Sequence, residues 1–250
     1  MLPIGLSGGP LRRWPWATTG LVLAVLAVFL RVQLLREAPP APYCTDLAES
    51  EQAVRAAAGT VQSFVCRYGA IPDELRRGED LATLVTAAFL HTGWLHLVGN
   101  VAFLAAFAPR VEQELGGPAL LALYLGGGSV ATTAHAFVVP GSVAPAIGAS
   151  GAMAAVMGAH LLLAPRGEVR VLVGPVPVRL PTWFVIGFWV VQQTVATAVV
   201  LSRAVYPGGT AFETHVAGFL AGAAVGAVVL LRRRRSSAPA PDRRSLRPAG

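Results

Sequence analysis

The sequence predicts an all-α polytopic membrane protein, a bundle of six membrane-crossing helices. Hydrophobic residues make up 54% of the 250-residue chain and charged residues only 13%, where a soluble domain carries about a quarter. Mean hydropathy is +0.58. Six apolar stretches, each near the ~20 residues that cross ~30 Å of hydrocarbon, lie between breaks rich in proline and glycine. This composition excludes a disordered chain and leaves little room for a soluble domain. A backbone in lipid must satisfy its own hydrogen bonds, so the stretches read as helices.

The first stretch covers about 14–35. Arg12 and Arg13 ahead of an apolar run also fit a signal peptide, but Arg31 to Leu34 carries the run toward membrane length, which favours a retained helix. The second covers about 94–111, the third 118–139, the fourth 146–164, the fifth 182–201 and the sixth 211–231. Pro140, Gly141 and Pro145 precede the fourth, Pro165 follows it, Pro181 precedes the fifth, and Pro207-Gly208-Gly209 precedes the sixth. Apolar residues 81–91 are expected to form an interfacial or re-entrant helix before the second span. The expected organisation is an N-terminus over 1–13, a first helix over 14–35, an external loop over 36–80, a core over 81–231 and a disordered basic tail over 232–250.

All 20 basic residues are arginine, and the net charge is +7. Seven arginines and one acid fall in residues 232–250, so the tail alone supplies +6. That pattern marks the cytoplasmic flank of a last helix and an affinity for the lipid bilayer; no nucleic-acid partner is expected. Placing the N-terminus inside puts thirteen arginines inside and seven outside, and an even number of spans then makes both termini cytoplasmic. The expected setting is a bacterial cell membrane. The long loop becomes external. It holds eight of the thirteen acids and both cysteines, Cys44 and Cys66, which are either bridged, as an oxidising compartment allows, or free.

Polar groups at membrane depth are costly and default to function. His96 and Asn100 are four residues apart and share one helix face. Ser150 lies in Gly148-Ala149-Ser150-Gly151 where the fourth span begins, and a helix N-terminus there offers unpaired N–H donors. His215 opens the sixth span ahead of Gly218, Gly222 and Gly226, whose four-residue spacing makes a smooth face for close packing. Each motif alone is explained as well by helix packing. In the assigned topology all three meet the external leaflet. One depth then holds an alcohol, two imidazoles and a carboxamide, the set that acyl transfer requires: His215 as base, Ser150 as nucleophile, and His96, Asn100 and the Ser150 N–H around the oxyanion. No metal or cofactor is needed. Glu213 lies two residues from His215 and points elsewhere on a helix, so a dyad is expected rather than a triad. His135, His160, Gln192 and Gln193 are expected to bridge helices; His91 is expected at the interface, and Glu112 to cap or pair locally with Arg110 or Arg166.

These residues resemble the rhomboid intramembrane serine proteases. His96-Leu97-Val98-Gly99-Asn100 is similar to the family's His-x-x-x-Asn second-helix signature, Gly148-Ala149-Ser150-Gly151 to its nucleophile motif, and His215-x-x-Gly218-x-x-x-Gly222 to its catalytic-histidine helix. The resemblance spans about 66–231, with the motifs in order on spans two, four and six. It implies cleavage of single-pass membrane substrates near the external face. Two positions depart from the pattern. Ala154 stands where well-known members place an aromatic against the catalytic histidine, and Thr214 stands where alanine is common. Two other classes compete. A non-catalytic relative that binds and escorts membrane helices typically lacks the serine or the histidine, and both are present here. A small transporter predicts internal repeats, and none is found.

Overall fold

The computed structural model describes residues 1–8, 10–34, 44, 60–202 and 211–236. Expectations on residues 35–43 and 45–59, on the Pro207-Gly208-Gly209 break and on residues 237–250 of the tail lie outside the described residues. Helix α1 runs Trp16–Gln33. The connection to the second span carries α2 at Val61–Tyr68, α3 at Pro72–Arg77, α4 at Thr83–Thr86 and a 3-10 turn at Ala87–Phe89. Then follow α5 at Trp94–Leu115, α6 at Gly117–Val138, α7 at Ser150–Leu163, α8 at Thr182–Leu201 and α9 at Phe212–Ser236. Five helices are long and apolar enough to cross a membrane: α1, α5, α6, α8 and α9. The chain is an integral membrane protein with a helical bundle fold.

The helix of the fourth apolar stretch, α7, is shorter than its hydropathy suggested. It begins at Ser150 rather than near residue 146 and has 14 residues, about 21 Å of rise. Residues just before it are held extended instead: Ala70 and Ala146 exchange backbone hydrogen bonds at 3.0 and 2.8 Å, and the Gly148 N–H donates to the Ala87 carbonyl at 2.9 Å. The short helix does not need to span lipid alone, because every residue from Gly151 to His160 is buried among its neighbours.

What encloses it is a glycine seam. A Cβ at Gly222 would fall 2.7 Å from Ala155 Cα, and one at Gly158 would fall 2.8 Å from the Ala223 nitrogen. Both are far inside ordinary contact, so α7 and α9 meet backbone to backbone, as small residues permit in membrane helices. Gly128 brings α6 close to Ala152 on another side of α7, with a looser fit: a Cβ there would lie 3.0 Å from the Ala152 Cβ. One core cluster joins Leu21, Leu104, Leu120, Tyr124 and Val156 from α1, α5, α6 and α7.

Polar ties fix the remaining elements. Glu112 of α5, expected to cap or pair locally, caps the first turn of α1. Its buried carboxylate accepts from the N–H groups of Ala17 and Thr18 at 3.0 and 2.8 Å and from the Thr18 hydroxyl at 2.8 Å. It thereby supplies the negative charge that a helix N-terminus favours. His160 bridges helices as expected: its ring nitrogens lie 3.1 Å from the Phe107 carbonyl and 3.1 Å from Ser7 Oγ, which in turn meets Thr182 Oγ1 at 2.8 Å. Cys44 and Cys66 are joined by a disulfide.

Two further features depart from expectation. Residues 166–181 form a β-hairpin, with β2 at Glu168–Val173 and β3 at Val176–Pro181, and β1 at Leu2–Pro3 adds to its edge in the order β1-β2-β3. In addition, α9 continues through Arg232–Arg235 to Ser236, so residues 232–236 are helical where disorder was expected. Arginine is a good helix former, cations suit a helix C-terminus, and Arg233 is held by the Glu114 carboxylate at 2.9 Å.

Candidate active site

The glycine seam decides where His215 lies. His215 is in the first turn of α9, one turn before Gly218, and Gly218 rests on the backbone of Gly151, the residue after Ser150. Two residues 65 positions apart in the chain are thus brought to one end of the bundle. Ser150 is the first residue of α7, where the opening N–H groups have no intrahelical acceptor.

Gly148 holds the third side chain in place. Its φ is +130°, and a Cβ there would fall 2.9 Å from His96 Cε1, 3.0 Å from His96 Nε2 and 3.8 Å from Ser150 Oγ. Only glycine suits both the dihedral and the space. Gly148 therefore lets the His96 ring lie beside the loop that presents Ser150. Thr92 Oγ1 is 3.2 Å from His96 Nδ1, so the hydroxyl can donate there and leave the proton on Nε2. Asn100, one turn along α5, is buried, and its Nδ2 has no hydrogen-bond partner among the described residues. An orphaned buried donor is uncommon and calls for a reason.

Ser150, His215, His96 and Asn100 line one cleft of about 240 Å³, with Trp189 of α8 on its far wall. A larger cavity of about 750 Å³, bordered by Gly148, adjoins it, and Leu95, His96, Ser150 and His215 line both. Ser150 Oγ and the His215 ring share the cleft without a hydrogen bond between them among the described residues. Among those residues, no three His, Cys, Asp or Glu side chains gather as a metal cage.

Three partners of His215 were not assigned from sequence. Gln193 of α8, anticipated only as a helix bridge, places Oε1 2.6 Å from His215 Nδ1. Trp189 lies one turn earlier on the same face, its ring 5.6 Å from the imidazole, and Phe212 lies at 6.3 Å, edge-on. The aromatic support missing at Ala154 thus comes from a different helix. Ala154 itself is fully buried against Gly218, where a large ring would not fit. The spacing of Trp189 and Gln193 on one face was the available signal. His135 Nδ1 meets Glu213 Oε1 at 2.6 Å, which anchors the start of α9 to α6. His91, expected at the interface, is buried with its ring 5.0 Å from that of His96. Burial, then the His96 ring, pulls it down to about 4, only partly offset by the Phe89 backbone, so it is neutral at physiological pH.

Fold and cleft together define a helical membrane protein that gathers a serine, two histidines and an asparagine at one end of its bundle. A family model described as the Rhomboid domain matches residues 78–232, and the chain belongs to that family. It is 33% identical over 156 residues to RHOMBOID-like protein 12, mitochondrial, of Arabidopsis thaliana, covering 56% of this chain and 46% of that protein. It is 32% identical over 151 residues to Rhomboid-like protein 11, chloroplastic, of the same plant, covering 58% and 50%. Over 95 residues it is 32% identical to Presenilin-associated rhomboid-like protein A, mitochondrial, of Danio rerio, covering 37% and 25%. The match spans half or less of each of these relatives. Their names place them in organelles, so the bacterial cell membrane expected from the sequence draws no support from them.

Proposed function

We propose that the chain is an intramembrane serine endopeptidase that cleaves single-pass membrane proteins with a Ser150–His215 dyad, residues 81–231 forming its catalytic core. The observation that carries this reading is the meeting of Ser150, His215, His96 and Asn100 in one cleft. With its Nδ1–H donated to Gln193 Oε1, a neutral His215 keeps the Nε2 lone pair free to act as a base. Nε2 takes the Ser150 Oγ proton as the oxygen attacks a substrate carbonyl. The resulting oxyanion is met by His96 Nε2–H, Asn100 Nδ2 and the Ser150 N–H. His215 then returns the proton to the leaving amine, and water hydrolyses the acyl-enzyme by the reverse sequence. Such hydrogen bonds commonly tighten only once substrate is bound, which accounts for the unjoined serine and histidine.

The cleft lies between α5 and α8, with Leu95, Phe103 and Trp189 on its walls, an apolar approach suited to a chain arriving from lipid. A substrate helix hides its carbonyls in its own hydrogen bonds, so it must unwind before attack. Arginine counts put the cleft at the external leaflet and both termini in the cytoplasm. Purified protein in detergent should cut a tagged membrane helix, and Ser150→Ala or His215→Ala should abolish cutting. Undiminished cutting by Ser150→Ala would refute the enzyme and leave the helix-escort alternative.

A further inference from the structure

The hairpin at the other end of α7 carries an arrangement that catalysis does not use. In the register of β2 and β3, Arg170 stands directly opposite Arg179. Like charges placed directly opposite destabilise a strand pair. Both side chains are exposed, and together with Arg166 they line a cavity of about 480 Å³. None of the three forms an ion pair among the described residues. Glu168 is the single acid in the wall, so the lining keeps an excess of two positive charges. The remaining wall is largely backbone: Gly167 and the left-handed Gly8, against which the Arg110 guanidinium packs. Three unpaired guanidiniums converging on one concavity, two of them in a repulsive register, form a receptor for an anion.

The setting identifies the source of that anion. Trp183 and Phe184 follow the hairpin directly and are 57% and 41% exposed, as suits aromatic residues at a membrane–water interface. Val173 and Val176 at the hairpin tip, and Ile4 and Leu6 beside β1, are also exposed. This places the cavity at headgroup level, with the exposed Leu6 in its lining and the other apolar side chains on the same hairpin and its flanks suited to acyl chains. It is about 21 Å from Ser150 along α7. We infer that this cavity binds the phosphate of an anionic phospholipid, gripped by the Arg170 and Arg179 forks. Guanidinium matches phosphate geometry bidentately where ammonium does not.

The test is a melting and titration series on purified protein in uncharged detergent, with phosphatidylglycerol, phosphatidylcholine or inorganic phosphate added. Phosphatidylglycerol should raise Tm, and phosphatidylcholine should not. Arg170→Gln/Arg179→Gln should bind phosphatidylglycerol about tenfold or more weakly, yet melt higher than the parent without lipid because the repulsion is gone. Arg170→Lys/Arg179→Lys keeps the charge and loses the fork; it should weaken binding by a smaller factor and covers the case in which the glutamine variant misfolds. Neutralising Arg243, Arg244 and Arg247 in the tail should leave the response intact. Equal phosphatidylglycerol binding by the parent and both double variants would overturn the site. So would an equal response to phosphatidylcholine. A response reproduced by inorganic phosphate alone would overturn the lipid as its source.

Discussion

Replacing Gly222 by alanine adds one methyl group to α9, some distance from the cleft. That methyl would lie 2.7 Å from Ala155 Cα and nearer still to the Ala155 carbonyl, where ordinary contact begins near 3.4 Å. The obstacle is the Ala155 backbone, so no side chain can rotate away and the helices must part by more than about 1 Å. Interiors are too well packed to absorb such a shift freely, and overpacking of this kind costs about 1–3 kcal/mol. His215 rides on the displaced helix and Ser150 on the one it leaves. A displacement of about 1 Å at a reacting pair can cost on the order of 100-fold in rate. Gly222→Ala should therefore lower cleavage of a tagged membrane helix by roughly that factor while the protein still folds, as read by melting temperature. Two controls grade the effect. At Gly226 the nearest atom is Leu162 Cβ at 3.1 Å, so alanine there should cost about tenfold or less, in line with a smaller displacement. At the exposed Gly126 of α6 nothing lies within 4 Å, and alanine should be neutral. If Gly222→Ala cleaves as fast as Gly126→Ala, the seam does not position the dyad.

Three further outcomes follow from the geometry. Gln193→Leu removes the acceptor at His215 Nδ1 and frees the ring to adopt the unproductive tautomer; kcat should fall about 10–100-fold with KM little changed, and Gln193→Glu should retain more activity than Gln193→Leu. Asn100→Ala deletes one oxyanion donor and should lower kcat by roughly 100-fold, while stability holds or rises because an unpartnered buried amide is lost. Glu112→Ala strands the Ala17 and Thr18 N–H donors that its carboxylate now caps at the start of α1 and should lower unfolding free energy by about 3 kcal/mol in detergent denaturation. It should also loosen α1, as read by protease access near residue 16.

Hydropathy alone located five of the six spans to within a few residues, because a stretch facing lipid has no alternative to apolar composition. It misplaced the start of the Ser150 helix, where Ala146 is drawn out by pairing with Ala70, a contact distant in sequence, and Gly148 takes a φ of +130°. The hairpin was passed over as an inner loop although Val169 and Val171 alternate with Arg170 ahead of Gly174-Pro175, a strand and turn signal outweighed by the membrane reading. The motifs around Ser150, His215, His96 and Asn100 were legible because glycines and polar groups are conspicuous in an apolar background. The supports of the histidine were not. Trp189 and Gln193 belong to a helix whose rotation about its axis depends on packing that no local pattern encodes, and the capping of α1 by Glu112 joins residues about 95 positions apart.

The most direct measurement is the mass of the intact protein after exposure to a fluorophosphonate, which reacts only with a serine oxygen made nucleophilic by a neighbouring base. One adduct on Ser150 in the parent, lost in both Ser150→Ala and His215→Ala, is the expected result. An adduct that forms equally fast without the His215 ring, or none on a parent chain that is folded, would show that the two side chains sit close together without working as a pair.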